Sequence, residues 1–190
     1  MIATGWVNPQ RFAAWIGHGL PAAFVEHMLA DARLGRRCVE LVEERFGPVS
    51  PSPLQAAMLA LDGPGLAELA LRAGAVWHAG SIAPLIDGAV IRDLVAAIGP
   101  ELRLFAIRHL ALAPAAAEPV PAAALPGEIA VAGQRCLSAW CLAQPSEVGC
   151  RIALRLATEE MPQEPHRLFG PDIVDAVLVA AAPTSERITS

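Results

Sequence analysis

The sequence contains neither lysine nor tyrosine, and it has few charged side chains of any kind. All 14 basic residues are arginines, and they are scattered along the chain rather than clustered. Charged residues make up 17% of the 190 positions, and the net charge is −5. Nucleic acid is therefore not an expected partner, because a protein that binds phosphates needs a basic stripe to displace their counterions.

Long hydrophobic runs are also missing. The longest stretch without a charge covers residues 46–61 and is interrupted by Pro48, Pro51 and Pro53. Since a transmembrane helix needs roughly 20 consecutive apolar residues, we expect no direct insertion into a membrane. The N-terminal stretch MIATGWVNPQRF lacks the basic start and continuous apolar core of a signal peptide, which predicts a cytoplasmic protein with reduced cysteines.

The four cysteines lack the spacing that is typical of a metal site. Cys38, Cys136, Cys141 and Cys150 include no CxxC pair, so we interpret them as structural thiols. A zinc site formed by the last three and a histidine would need non-standard spacing. No phosphate-binding loop, GxSxG or HExxH motif occurs, and the sequence predicts no catalytic residue, metal or cofactor.

Apolar residues are abundant, at 54% of the chain, and helix punctuation is dense. Pro at the first helical position and Gly just beyond the end recur, beginning at Asn8-Pro9. The other segments that this punctuation bounds are 21–47, 53–63, 64–80, 87–99 and 100–114. We predict a mainly α fold, a single helical domain of about six to eight helices, with Gly35 breaking or bending the long second segment.

Residues 113–127, APAAAEPVPAAALPG, contain too many prolines for a helix. We interpret them as a linker or an extended surface strap that separates the main helical body, residues 1–112, from a C-terminal lobe, residues 128–182. Within that lobe we predict helices over residues 128–143 and 171–182.

The segment CRIALRLA, residues 150–157, alternates apolar and other side chains. This pattern predicts one short β element at most, near residues 150–157. A single strand needs a partner, so a short internal hairpin, pairing with the edge of another protein, or a helix after all remain the alternatives.

A tryptophan and a histidine lie side by side in the stretch RAGAVWHAGSIAPLIDG, residues 72–88. On a helix from Pro64, Trp77 falls on an apolar stripe and is predicted to anchor the core. Gly74 on that helix has no side chain, which lets another backbone come close. His78 and His109 are each expected to pack between helices and to bond to a backbone carbonyl.

The next helix has a predicted cap and a predicted buried face. Asp87 is expected to cap it rather than to act as an acid or base. The buried face is predicted to comprise Val90, Ile91, Leu94, Val95 and Ile98, which leaves Arg92 and Asp93 to solvent or to a partner.

Residues 69–109, LALRAGAVWHAGSIAPLIDGAVIRDLVAAIGPELRLFAIRH, resemble the central signature of the type III secretion sorting-platform family SctK. That signature runs Arg-x-Gly-x-x-x-His, then an Ile, a helix, a Gly and a second amphipathic helix. The matching residues are Arg72, Gly74, His78, Ile82, Leu94, Gly99, Glu101 and His109. The resemblance continues in a helix that carries Gly133 and Trp140 and in the Arg-x-x-Leu-Arg-Leu segment over residues 151–156.

The resemblance implies a structural adaptor that is needed for protein secretion, and not an enzyme. Such an adaptor is cytoplasmic and peripheral at the inner membrane. It links the SctD-like inner-membrane ring protein to the SctQ-like pod protein, and indirectly to the SctL-like stator and the SctN-like ATPase. Exposed charges beside the signature, Arg92, Asp93 and Arg103, are our candidate partner contacts.

Two alternatives belong to other classes of protein. One is a chaperone-like or regulatory helical protein of the same secretion system. The other is a helical enzyme that uses a small ligand or a metal bound by His78, His109 and the cysteines, and it requires polar groups that converge on one pocket.

Overall fold

The computed structural model describes residues 7–17, 19–157 and 160–181. The first six residues, on which the signal-peptide expectation depends in part, lie outside the described residues, as does the end of the C-terminal lobe. The helices are α1 (Pro9–Ile16), α2 (Ala22–Ala30), α3 (Ala32–Phe46), α4 (Pro53–Ala60), α5 (Gly63–Trp77), α6 (Ala79–Ile82), α7 (Gly88–Ile98), α8 (Pro100–Arg108), a 3-10 turn (Leu110–Leu112), α9 (Leu125–Ala143), α10 (Ser146–Ala153) and α11 (Glu164–Ala181).

The predicted count of six to eight helices is wrong, because the described residues form eleven α-helices. One cause is where the second segment divides. The chain breaks at Asp31, whose extended backbone ends α2 and whose side chain caps α3. Gly35 instead lies inside α3, where the missing side chain leaves room for the carbonyl of Leu29 on α2. A local cap thus places the break a turn earlier than the glycine suggested.

The β element predicted near residues 150–157 is also wrong, since the described residues contain no strand. The chain is helical through Ala153 and then turns. The alternation arises because the apolar side chains at the end of the helix and just after it are buried in different clusters. Ile152 and Leu156 are buried in the cluster centred on α5, α9 and α11, which we call the main core, whereas Leu154 is buried against the N-terminal helices. A helix end followed by a turn therefore imitates the period of a strand.

The centre of the fold is a layer of three long helices, α5, α9 and α11. The apolar stripe of α5 that includes Trp77 packs against Cys136, Leu137 and Trp140 of α9. Helix α11 contributes Ile173 and Val177 to the same core. The last helix starts at Glu164 rather than at the predicted residue 171, and it contains Pro171 in its interior.

Two smaller clusters complete the interior. Helices α1, α2 and α3 enclose Phe12, Val25, Cys38 and Val42, and Leu154 joins this cluster from the turn after α10. The other cluster lies between α5, α6, α7, α8 and α9 and includes Ile82, Leu94 and Ile129.

Residues 113–124, which we call the strap, run between the 3-10 turn and α9. Pro114 is buried, and Val120 and Ala122 pack against the cluster that contains Ile82. Ala117 packs against the main core, and the backbone N–H of Val120 donates to Ser81 Oγ at 3.1 Å. The Ala/Pro sequence is therefore a surface strap that crosses from one cluster to the other.

No described helix is both long enough and apolar enough to cross a lipid bilayer.

Candidate functional site

Two glycines of the sequence pattern lie where α5 crosses α9. A Cβ atom added to Gly74 would collide with the carbonyl oxygen of Ile129, and one added to Gly133 would collide with the carbonyl oxygen of Ala70. The two backbones touch here because both helices lack a side chain at the contact. Gly74 and Gly133, which lie in separate parts of the sequence pattern, are thus partners in one helix contact.

Trp77 and His78 end α5 and are both buried. The Trp77 ring stacks on the His166 ring of α11, with centroids 3.9 Å apart and an interplanar angle of 6°. His78 is the C-cap of α5, and its backbone N–H donates to the Gly74 carbonyl at 3.0 Å. Burial lowers the pKa of His78, and the charge and backbone of Glu128 act in the opposite direction.

The short α6 and the longer α7 are held by four of the predicted residues. Ile82 and Leu94 are buried together. The Asp87 carboxylate accepts hydrogen bonds from the backbone N–H groups of Ala89 and Val90, at 2.7 and 3.3 Å, and so caps α7. Gly99 ends α7 with φ = +85°, a conformation that favours glycine. Leu94 is the one fully buried side chain of α7, since the other four members of the predicted face are half-buried.

Two further signature residues make polar contacts that connect elements. Arg72 forms an ion pair with Glu68 one turn earlier, and its guanidinium lies 5.5 Å from the centre of the Phe105 ring on α8. Trp140 is fully buried, and its indole N–H donates to the Asp175 carboxylate of α11 at 2.6 Å. Burial raises the pKa of Asp175, although the bond from Trp140 opposes that rise.

The three candidate partner contacts differ in exposure. Arg92 and Asp93 are exposed on α7, whereas Arg103 on α8 is half-buried. The Nε atom of Arg103 is buried without a hydrogen-bond partner among the described residues. Just before α7, Ile86 has 92% of its surface exposed. One apolar side chain and two opposite charges are thus exposed on or just before α7, and we call Ile86, Arg92 and Asp93 together the α7 face.

The cysteines and histidines of the alternative enzyme hypothesis have the following surroundings in the described structure. All four cysteines are free thiols, and burial raises the pKa of Cys136 and Cys141 to about 12. His109 is half-buried, with Nδ1 2.9 Å from the Phe105 carbonyl oxygen. Within residues 7–17, 19–157 and 160–181, no three His, Cys, Asp or Glu side chains are grouped so that they could hold a metal ion.

Two residues that the sequence did not predict also belong to this region: His166 stacks on Trp77, and Asp175 accepts the hydrogen bond from Trp140. Both residues lie on α11, and His166 belongs to its first turn. The spacing of apolar residues on α11 is the signal in the sequence that indicates packing of this helix against the core. Because the helix was predicted to start at residue 171, His166 lay outside it.

Two known proteins are similar to the chain. They are the nodulation protein NolU of Rhizobium fredii and the nodulation protein NolU of Sinorhizobium fredii (strain NBRC 101917 / NGR234). Each is 31% identical over 161 residues, an alignment that covers 83% of this chain and 74% of the relative. No protein-family profile and no solved structure matches the chain significantly.

Proposed function

The chain belongs to the NolU family, and on that premise we propose that it is a cytosolic structural adaptor of a bacterial type III secretion sorting platform. In this role it links an SctD-like ring protein at the inner membrane to an SctQ-like pod protein, and through the pod to the stator and the ATPase. The proposal also draws on the likeness of residues 69–109 to the SctK signature.

The observation that carries the proposal is how the polar signature residues are used. Asp87 caps a helix, Arg72 pairs with Glu68 in the same helix, and Trp140 bonds to a carboxylate on a neighbouring helix. Asp87 and Arg72 thus stabilise single helices, Trp140 joins α9 to α11, and Gly74 sets the distance between α5 and α9. Signature residues that stabilise helices and the contacts between them support a protein that acts as a rigid body and presents surfaces to its partners.

The α7 face is the surface that we assign to one of these partners. Ile86, Arg92 and Asp93 are exposed there, and α7 itself is fastened by few buried side chains. An exposed apolar residue beside charges of both signs suits a protein interface with an apolar centre and a polar rim.

The test uses purified proteins from the bacterium that encodes the chain. The full chain is mixed with the cytoplasmic domain of the ring protein, with the pod protein, and with both, and binding is measured by calorimetry and size-exclusion chromatography. We expect each partner to bind and the three proteins to elute as one complex. Binding to neither partner would contradict the proposal, and binding only to secreted cargo would favour the chaperone-like alternative.

A double charge reversal tests whether the α7 face binds a partner. Arg92→Glu combined with Asp93→Arg reverses both charges, and we expect at least tenfold weaker binding to one partner with unchanged thermal stability. The matched control is Arg36→Glu with Glu43→Arg, which reverses two exposed charges on α3. Equal affinities for the α7 variant, the control and the parent chain would remove α7 from the interface.

A further inference from the structure

The cleft beneath the strap contains an unusual concentration of buried polar atoms without partners. Its volume is about 190 Å³, and Trp77, His78, Arg135 and His166 line it on the helix side. Seven buried side-chain nitrogen or oxygen atoms of the described residues lack a hydrogen-bond partner. Four of these atoms belong to this cleft: His78 Nδ1, Arg135 Nε and both ring nitrogens of His166.

The strap forms the opposite wall of the cleft. Ala116, Ala117, Glu118 and Val120 line it from that side. The contacts that hold the strap are small, because its side chains are mostly alanine and proline. Moving the strap therefore disturbs less buried apolar surface than moving a helix of the main core.

The surroundings of His166 oppose its protonation. Its ring is flat against Trp77, and only 5% of the residue is exposed. It also lies in the first turn of α11, where the helix dipole is positive. Burial, then the charge of Arg135, then His78, lower the pKa of His166 to about 4.

The charged groups around the cleft come from every element that packs against it. The basic neighbours are His78 at the end of α5 and Arg135 on α9, and Arg135 lies 3.7 Å from Glu160. Glu118 on the strap and Glu128 on α9 are both exposed, so solvent screens their charges. Burial is therefore the largest factor that opposes protonation of His166, and the charge of Arg135 adds to it although Arg135 also pairs with Glu160.

We propose that the strap is an acid-sensitive latch, closed over the Trp77–His166 stack when His166 is neutral and released when that ring takes up a proton. The direction of the pH dependence follows from the linkage between proton binding by His166 and opening of the strap. His166 binds a proton weakly with the strap closed and more tightly with the strap open, because opening admits water and removes part of the burial that lowers its pKa. Opening therefore becomes more favourable as the pH falls from about 6.5 towards 4, by on the order of tenfold at pH 5. The latch is a property of the chain alone and goes beyond the adaptor role.

The test is amide hydrogen exchange of the full chain at pH 7.5 and pH 5.0, corrected for intrinsic exchange rates. In the parent chain we expect protection of residues 113–124 to fall on the order of tenfold, while α5, α9 and α11 keep theirs. His166→Phe keeps an aromatic ring against Trp77 but cannot be protonated, so its strap should be indifferent to this change of pH. The matched control, His109→Phe, replaces a half-buried histidine that also stacks on an aromatic ring, 4.2 Å from Phe105, and it should behave like the parent chain.

Three results would overturn the latch. They are a strap insensitive to pH in the parent chain, an equal loss of protection in His166→Phe, and a simultaneous loss across the strap and the core helices. If His166→Phe fails to fold, an NMR titration of the His166 ring in the parent chain decides. A ring that titrates near 6.5 while the strap stays protected contradicts the proposal, and one that titrates near 4 or only together with strap opening supports it.

Discussion

At the scale of single residues, two glycines set the distance between the two helices at the centre of the fold. Gly74 and Gly133 allow α5 and α9 to touch along their backbones, and the atoms that a methyl group would meet are main-chain carbonyl oxygens. A backbone cannot rotate away as a flexible side chain can. Relief of such a clash requires the two central helices to separate, which opens the core that Trp77 and Trp140 fill.

We therefore expect Gly133→Ala to lower the free energy of unfolding by about 3 kcal/mol or more, measured by urea unfolding followed by circular dichroism. The control lies on the same helix. An added Cβ at Gly127 meets nothing within 4 Å, so Gly127→Ala should stabilise the chain by about 0.5 kcal/mol through its better helix propensity. Similar effects of the two substitutions would mean that α5 and α9 do not touch at Gly133.

At the scale of elements, α10 and the turn after it join helices that are distant in sequence. The Arg151 guanidinium donates to the carbonyl of Gly47 at 2.8 Å, just past the end of α3. Arg155 donates to the carbonyl of Leu59 at 2.9 Å, near the end of α4. Carbonyls at helix C-termini lack partners in their own helix and carry partial negative charge, so a guanidinium satisfies and stabilises them.

Substitution of either arginine should weaken the contact between the α10 region and the helix end whose carbonyl the guanidinium binds. We expect Arg151→Ala and Arg155→Ala each to cost about 1.5–3 kcal/mol, because a hydrogen bond from a charged group is lost and a carbonyl is left unsatisfied. Arg36→Ala is the control, since Arg36 is exposed on α3 and makes no ion pair or side-chain hydrogen bond within the described part of the chain. Chemical denaturation measures all three, and losses as small as that of Arg36→Ala would show that the two contacts contribute little.

At the scale of the whole molecule, burial is distributed unevenly among the helices. Nine residues of α9 and eight of α5 are fully buried, whereas α2 and α7 each have one. Helices with few buried apolar contacts open locally at a lower free energy than the core. The proposed partner surface on α7 thus lies on a weakly fastened part of the molecule.

Hydrogen exchange at pH 7.5 should reveal this order. We expect amides of α5, α9 and α11 to exchange only through global unfolding, and those of α2 and α7 to exchange earlier through local opening. Binding of a partner on α7 should slow exchange there and leave α2 unchanged. Protection of α7 equal to that of α9 in the free chain would contradict the uneven distribution of stability.

The sequence alone determined the features that depend on a few neighbouring residues. Asp87 caps α7 as predicted, and Asn8 and Ser52 cap α1 and α4 in the same way, because a cap bonds to backbone groups two or three positions away. The α5 stripe that ends at Trp77 follows from helical periodicity in the same way. The close backbone approach at Gly74 was also predictable, since only glycine leaves that space.

Only the tertiary structure decided which distant residues meet. It paired Gly74 with Gly133, placed His166 on Trp77, and sent Leu154 and Leu156 into different clusters. The β element near residues 150–157 was wrong for the same reason, because an apolar residue can be buried against any neighbour that packing provides. The helix count was wrong in part for a local reason, since the cap at Asp31 divides the second segment into two helices. Local hydrogen bonds determine where helices are capped, whereas the packing of the whole interior determines which helices contact one another.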